Sequence, residues 1–172
     1  MVAAGGYRIG MIFPPVHGVA PESAPDPMSV AFAQARAAAA RGEVPVGAVL
    51  LGPDGTIIAR AGNRTEELRD PSAHAEMLVM RAATQARDGA RLSDCTLYVT
   101  LEPCPMCAAA AVHFRVGRIL FGAYDPKGGG VEHGPRLFAR RDCLHRPETI
   151  GGLREREAAA MLRGFFRDRR DG

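Results

Sequence analysis

The stretch TLYVTLEPCPMC (residues 96–107) decides the fold, because it passes from an apolar, β-branched run directly into a helix start. The composition of 96–102 predicts a strand. Pro103 predicts the first turn of a helix that carries Cys104 and Cys107 on one face, since residues three apart are neighbours on a helix surface. A strand that leads straight into a helix is typical of layered α/β domains.

The segments on either side alternate in the same way. Asp26-Pro27 and Asp70-Pro71 each combine a capping residue with a proline, which predicts a helix start at both places. The turn GPDG (52–55) lies between two apolar runs and predicts a β-hairpin. The predicted helices are 28–41, 71–88, the one that starts at Pro103, a short segment at 135–141 and 154–170; the predicted strands are 44–52, 56–62, 96–102, 116–125 and 148–153. This order predicts an α/β protein, a three-layer α/β/α sandwich around a mixed five-stranded sheet.

Residues 1–27 differ from the rest of the chain. They are rich in Gly, Pro and Ala and show no helical or strand periodicity. Pro14-Pro15 interrupts their apolar patch, whereas a secretory signal needs a positively charged start and an unbroken apolar core of about 7–15 residues. We therefore expect a disordered N-terminal extension over 1–27 and a single domain over 28–172.

Charge, cysteine content and hydropathy restrict the partners and the compartment. The net charge is +3 and the basic residues concentrate in the second half, which indicates a polyanionic partner, although a solvated charged surface is the more common reason for such a run. No apolar run approaches the roughly 18 residues that a membrane span requires, so we expect no membrane partner. Four cysteines without a secretory signal indicate reduced thiols and a cytoplasmic location.

Taken alone, Cys104 and Cys107 are compatible with a redox dithiol, with part of a metal site, or with two buried thiols that have no chemistry. The segment PSAHAEM (71–77) favours the metal site, because it places His74 and Glu76 near another predicted helix start. One imidazole and two thiolates suit zinc and leave its fourth tetrahedral position for water. Glu76 is then available to move protons, although its spacing from His74 leaves open whether its carboxylate reaches that water.

A fourth protein ligand would instead make the site closed and structural. The candidates for such a ligand are His113, His133, His145 and Cys143. We expect the three histidines to be structural or surface residues, and Cys95 and Cys143 to be buried thiols.

The two motifs, His74-x-Glu76 and Pro103-Cys104-x-x-Cys107, together resemble the signature of the zinc-dependent cytidine and adenosine deaminases. Over about residues 28–170 the chain is also similar to the bacterial tRNA adenosine deaminases. The segments that carry this similarity are EVPVGAVL (43–50), GNR (62–64), AHAE (73–76), TLYVTLEPC (96–104), FGAYDPKGG (121–129) and FFRDRR (165–170). The resemblance implies a cytidine deaminase-like fold, a homodimer, and one Zn²⁺ per subunit held by His74, Cys104 and Cys107.

The resemblance also implies a reaction and a set of substrate contacts. Adenosine at the wobble position of a tRNA anticodon loop is hydrolysed to inosine, with Glu76 moving protons from water to N1 and then to the departing ammonia. Asn63 and the backbone N–H of Ala75 are implied to contact the target base. The residues implied to bind tRNA are Asp125, Lys127, Phe166, Arg167, Arg169 and Arg170. Two alternatives stay open: a small-molecule deaminase that acts on guanine or cytosine, and a non-catalytic RNA-binding module with a closed zinc site.

Overall fold

A computed structural model describes residues 26–87 and 89–170 of the chain. Its helices are α1 (Pro27–Ala40), α2 (Thr65–Leu68), α3 (Ala75–Ala86), α4 (Pro105–His113) and α5 (Glu155–Asp168), with a 3₁₀ turn at Leu137–Ala139; its strands are β1 (Gly47–Leu51), β2 (Ile57–Gly62), β3 (Thr96–Leu101), β4 (Arg118–Ala123) and β5 (Glu148–Ile150). The predicted N-terminal extension lies outside the described residues, apart from its last two, and stays a prediction. Within the described ranges, no helix is long and apolar enough to span a membrane.

The five strands form one mixed sheet in the order β2-β1-β3-β4-β5. Strand β1 is antiparallel to both β2 and β3, whereas β3, β4 and β5 run parallel. Side chains of β1 alternate between two cores: Ala48 and Leu50 pack with α3 and α4, while Val49 and Leu51 pack with α1 and α5. Helices therefore cover both faces, and the predicted three-layer sandwich around a mixed five-stranded sheet is confirmed.

The first helix begins where the sequence predicts. The Asp26 carboxylate accepts hydrogen bonds from the N–H and the hydroxyl of Ser29, both at 2.9 Å, and Pro27 is the first helical residue. Arg154, just before α5, donates to the Ser29 hydroxyl at 2.7 Å. The helix starts on this face of the sheet are thus joined to each other.

The start of α3 differs from the prediction. The helix begins at Ala75 and not at Pro71. The Asp70 carboxylate accepts from the N–H and the hydroxyl of Ser72 at 2.8 and 2.7 Å, which makes a tight turn instead of a helix cap. His74 is consequently the residue immediately before the helix, and Glu76 is its second residue.

The start of α4 differs as well. The helix begins at Pro105 and not at Pro103, so that Cys104 comes immediately before the first helical residue and Cys107 lies in the first turn. The Pro103 carbonyl accepts a hydrogen bond from the N–H of Gly130 at 2.8 Å, and this proline belongs to the connection between strand and helix.

The short helix α2 lies between the predicted strand 56–62 and the predicted helix 71–88, in the polar stretch 63–70 that we expect from the sequence to be a loop. The buried carboxylate of Glu43 accepts from the Thr65 hydroxyl at 3.0 Å and from the N–H groups of Glu66 and Glu67 at 3.0 and 2.9 Å. These are the free donors of a helix start, so a carboxylate distant in sequence stabilises a helix too short to form on its own.

Candidate active site

The predicted ligands meet between the starts of α3 and α4. The Nδ1 atom of His74 lies 3.6 Å from the Sγ atom of Cys104 and 3.5 Å from that of Cys107. One ligand atom from each residue lies within 4.8 Å of the other two, and in residues 26–87 and 89–170 this is the one group of three or more such side chains that could hold a metal ion.

The protonation chemistry of this group fits a cation. The pKa of the Cys104 thiol is lowered to about 4, because Cys104 forms hydrogen bonds with Cys107 and with His74. The same contact with Cys104, with burial, raises the pKa of Cys107, so the two sulfur atoms share one proton in the absence of metal. The contact with Cys104 also raises the pKa of His74. One imidazole and two sulfur atoms that compete for a proton at this distance are a donor set suited to Zn²⁺.

None of the other candidate ligands in the described part of the chain joins this group. His133 Nδ1 bonds to Glu102 at 2.7 Å, and His145 Nε2 bonds to the Val116 carbonyl at 2.7 Å. His113 is exposed at the end of α4. The half-buried Cys143 donates to the His145 carbonyl at 3.0 Å. Cys143 is therefore half-buried and not buried as predicted, whereas Cys95 is buried as predicted.

A cavity of about 230 Å³ opens beside the three ligands. Its wall consists of apolar side chains from the segment just before β1 and from the end of β3, and of polar groups from the start of α2, the start of α3 and the neighbouring loops: Val44, Val46, Asn63, Thr65, His74, Glu76, Leu101, Glu102, Cys104, Asp125 and Gly128. Two of the three predicted ligands, His74 and Cys104, and the predicted proton carrier Glu76 therefore border one cavity.

Glu76 is the most perturbed carboxyl group of the cavity. Its side chain is only 4% exposed, and its Oε2 atom is buried without a hydrogen-bond partner. Burial raises the pKa of Glu76 to about 7. A carboxyl group with this pKa accepts and donates protons with equal ease near neutral pH, which suits general acid–base catalysis. The sequence left open whether Glu76 reaches the metal side of the cavity; the structure places it in the same cavity wall as His74 and Cys104.

Asn63 and Ala75 contact each other. The Asn63 side chain is 6% exposed, and its Oδ1 atom accepts a hydrogen bond from the Ala75 N–H at 2.9 Å. This bond leaves the amide NH₂ group of Asn63 as the donor for a ligand of the cavity. The resemblance implied that the Ala75 N–H contacts the target base. In the structure this N–H donates to Asn63 and so orients the Asn63 side chain.

Glu102 is a residue of this site to which sequence reasoning assigned no role. Its side chain is completely buried, and it accepts hydrogen bonds from four backbone N–H groups and one histidine. The sequence did contain one signal for Glu102, which is an acidic residue at the end of an apolar strand. A carboxylate buried there without partners is unfavourable, so its position indicates that it has partners. Its partners were not visible, because they lie 23–31 positions further along the chain.

The predicted RNA contacts on the loop after β4 lie at the rim of the cavity. The Asp125 carboxylate accepts from the N–H groups of Lys127 and Gly128 at 3.1 and 2.9 Å, and therefore stabilises its own turn. The Lys127 side chain is exposed. The loop thus offers one free cation next to the cavity, while Asp125 shapes the loop.

The predicted RNA contacts at the end of α5 and just after it divide into two groups. A second cavity of about 390 Å³ adjoins the first and is lined by Tyr124, Arg163 and the 46% exposed ring of Phe166, among others. Arg167 and Arg170, which follow Phe166 closely in the sequence, are exposed. Arg169 instead places its guanidinium 4.6 Å from the centre of the Phe165 ring and donates to the Gly42 carbonyl, so it attaches the end of α5 to the domain.

A His/Cys/Cys group beside a buried glutamate, on a three-layer α/β/α sandwich, defines the class of zinc-dependent nucleobase deaminases. In agreement, residues 21–123 match the model of the cytidine and deoxycytidylate deaminase zinc-binding region. The chain is 53% identical over 143 residues to a tRNA-specific adenosine deaminase of Agrobacterium fabrum, an alignment that covers 83% of this chain and 93% of that protein. It is 48% identical over 143 residues to a tRNA-specific adenosine deaminase of Bacillus subtilis, covering 83% and 88%. The chain belongs to this family, the tRNA-specific adenosine deaminases within the cytidine and deoxycytidylate deaminases.

Solved structures give the same relationship. One from a study of A-to-I editing by tRNA:A34 deaminases at the wobble position superimposes with a TM-score of 0.77 at 52% identity, covering 79% of this chain and 98% of that one. A guanine deaminase from Nitrosomonas europaea superimposes with a TM-score of 0.65 at 26% identity, covering 81% and 82%.

Proposed function

We propose that the protein hydrolyses adenosine to inosine at the wobble position of tRNA anticodons, with one Zn²⁺ per subunit held by His74, Cys104 and Cys107. The observation that carries the proposal is the buried carboxyl group of Glu76, whose Oε2 atom has no hydrogen-bond partner, in the same cavity as the ligand group. A purely structural metal site has no use for such a group. The relatives that act on tRNA adenosine, at up to 53% identity, support the choice of substrate.

The residues of the cavity divide the chemistry among them. When bound, Zn²⁺ lowers the pKa of a water molecule and so supplies a nucleophile near neutral pH. Glu76 takes up the proton that this water loses and delivers it to N1 of adenine, because its pKa of about 7 suits both transfers. The oxygen of this water forms the C6–O bond as N1 is protonated. Glu76 then takes the remaining proton from the new C6 hydroxyl and delivers it to the amino group, so that the C6–N bond breaks, the C6 carbonyl forms, and ammonia leaves.

Two further features hold the base during these steps. The Asn63 NH₂ group donates to a ring nitrogen of the base, since its Oδ1 atom is already bonded to Ala75. Val44, Val46 and Leu101 supply apolar contacts for the ring faces. A base that enters this cavity must leave its stack, which favours the unpaired nucleotides of an anticodon loop over a duplex.

The exposed cations and the ring on α5 support an RNA substrate over a free base. Phe166 offers a stacking surface at the second cavity, and Lys127, Arg167 and Arg170 are available to phosphates. The likeness to a guanine deaminase keeps a free purine as the second candidate. A homodimer and a cytoplasmic location are also part of our proposal; the first rests on the resemblance and the second on the free thiols of the described chain.

An assay with matched substrates separates the two candidates. The zinc-loaded protein is incubated with an anticodon stem-loop that has adenosine at the wobble position, with the same stem-loop whose adenosine is moved by one position, and with free adenine, guanine and cytosine. We expect inosine in the first RNA only, measured by mass spectrometry of the nucleosides. Turnover confined to the free bases would overturn the proposal. Light scattering of the same sample measures the oligomeric state, and a monomeric mass would contradict the homodimer.

A further inference from the structure

Glu102 lies at the centre of a dense group of hydrogen bonds next to the candidate active site. Its Oε1 atom accepts from the N–H groups of Val131, Glu132 and His133 at 3.2, 2.8 and 2.9 Å. Its Oε2 atom accepts from the Asp125 N–H at 3.0 Å and contacts His133 Nδ1 at 2.7 Å. The side chain is fully buried, and these five contacts satisfy both of its oxygen atoms.

The segment that Glu102 organises, residues 125–133, packs against the start of α4. The Gly130 N–H donates to the Pro103 carbonyl at 2.8 Å. A methyl group added at Gly130 would lie 2.7 Å from Pro105 Cα and 2.9 Å from the Cys104 carbonyl carbon, so the two backbones are in direct contact. A displacement of this segment is therefore transmitted to the backbone of Cys104.

We infer that Glu102 is a positioning residue, which fixes the segment 125–133 against the start of α4 and so holds the metal ligand Cys104 in place. Its backbone is directly followed by Pro103 and Cys104, and its side chain holds the segment that covers them from the other side. The same segment contributes Asp125 and Gly128 to the cavity wall, so one carboxylate orders both the ligand and the substrate side. The inference rests on the metal-binding part of the proposed function and is independent of the substrate.

The chemistry of the contacts requires a carboxylate at this position. All four backbone partners are donors, and an ionised carboxylate is a side chain that only accepts. A glutamine of the same shape turns one acceptor into an NH₂ group, which then faces N–H donors and leaves at least one buried group without a partner. Glu102→Gln therefore loosens the segment while the volume of the core stays the same.

Glu43 provides a matched control within the same chain. It is another buried glutamate whose carboxylate accepts from backbone N–H groups, but its side-chain hydrogen bonds go to α2. Glu43→Gln and Glu102→Gln remove comparable hydrogen bonds, so both lower global stability. The two variants differ only in which part of the site loses its support.

The test measures metal retention in the zinc-loaded protein. The rate of zinc transfer to a chromogenic chelator is measured at neutral pH, and the visible absorption spectrum of the cobalt-substituted protein reports the ligand geometry. For Glu102→Gln we expect release to accelerate about tenfold or more, as for other outer partners of metal sites, with a shifted cobalt spectrum. For Glu43→Gln we expect release within twofold of the wild-type rate and an unchanged spectrum.

Equal acceleration in both variants would overturn the inference, because the effect would then be general destabilisation. Unchanged release and an unchanged spectrum in a folded Glu102→Gln variant would also overturn it. If Glu102→Gln does not fold, Gly130→Ala tests the inference instead. The added methyl group moves the segment 125–133 away from Pro105 and leaves the Glu102 carboxylate intact. Faster zinc release from this variant supports the inference, and an unchanged rate contradicts it. Failure of the RNA assay affects none of these readings, because no measurement here uses a substrate.

Discussion

Glu76→Gln is expected to stabilise the metal-free protein and to abolish deamination. The carboxyl group has a pKa of 4.5 when freely solvated and of about 7 in the folded chain, where burial favours its neutral form. This difference corresponds to about 3 kcal/mol between the two protonation states. Glutamine has nearly the same shape and no charge, so the variant avoids the cost of burying an ionised group whose Oε2 atom has no hydrogen-bond partner.

The sign of the pH dependence follows from the direction of the pKa change. Between pH 4.5 and 7 the folded state binds this proton more tightly than the unfolded state does. The contribution of Glu76 to stability is thus fully present below pH 4.5 and is lost as the pH rises through 7. Relative to the variant, the wild-type protein should lose about 1.4 kcal/mol per pH unit between pH 5 and 7, up to about 3 kcal/mol above pH 8.

Urea unfolding of chelator-treated protein at pH 5, 6, 7 and 8 measures this difference. Glu155→Gln, a substitution of an exposed carboxyl group at the start of α5, serves as the control and should follow the wild-type curve in parallel. Parallel curves for Glu76→Gln as well would refute the reasoning, since they would mean that the carboxyl group is solvated in the folded state. In the zinc-loaded variant, kcat for the stem-loop should fall by about 10³-fold or more at full zinc content. Activity near the wild-type value would remove Glu76 from the mechanism.

Three other substitutions test separate parts of the structure. Asn63→Ala removes the acceptor of the Ala75 N–H and the NH₂ donor of the cavity, so kcat/KM should fall by about 10- to 100-fold, or 1–3 kcal/mol, while elemental analysis finds unchanged zinc. Phe166→Ala removes an exposed stacking surface, and the Kd for the stem-loop by fluorescence anisotropy should rise about fivefold or more. Asp26→Ala removes the hydrogen bonds to Ser29 and should lower the free energy of unfolding in urea by about 1 kcal/mol with unchanged turnover.

Each of these expectations has a contradicting result. Wild-type turnover by the Asn63 variant would show that its amide group does not bind the base. An unchanged Kd for the Phe166 variant would place the RNA elsewhere on the surface. A loss of turnover in the Asp26 variant would connect α1 to the active site. The core that α1 forms lies on the opposite face of the sheet from the active site.

The order and type of the elements could be predicted from the sequence because local signals determined them. Alternating apolar runs indicated the strands, and the ligand residue types indicated the metal group. The exact helix starts could not be predicted, because Asp70 and Pro103 make turn and loop contacts that imitate capping signals. Glu43 and Glu102 escaped prediction for another reason. Their partners are backbone N–H groups of distant segments, and a backbone donor leaves no trace in the residue type.

The position of the ligands has a consequence for how this family balances stability against activity. His74 and Cys104 occupy the two positions at which Ser, Thr, Asp or Asn usually caps a helix, and neither side chain makes a capping hydrogen bond. A capping side chain is worth about 0.5–2 kcal/mol, so the metal-free protein forgoes that much stability at each of two helix starts. Selection for stability alone would favour His74→Asn and Cys104→Asp, and either change would remove one of the proposed zinc ligands. The two ligands therefore persist only as long as the chemistry is under selection, and a capping residue at these positions would mark a descendant that has lost it.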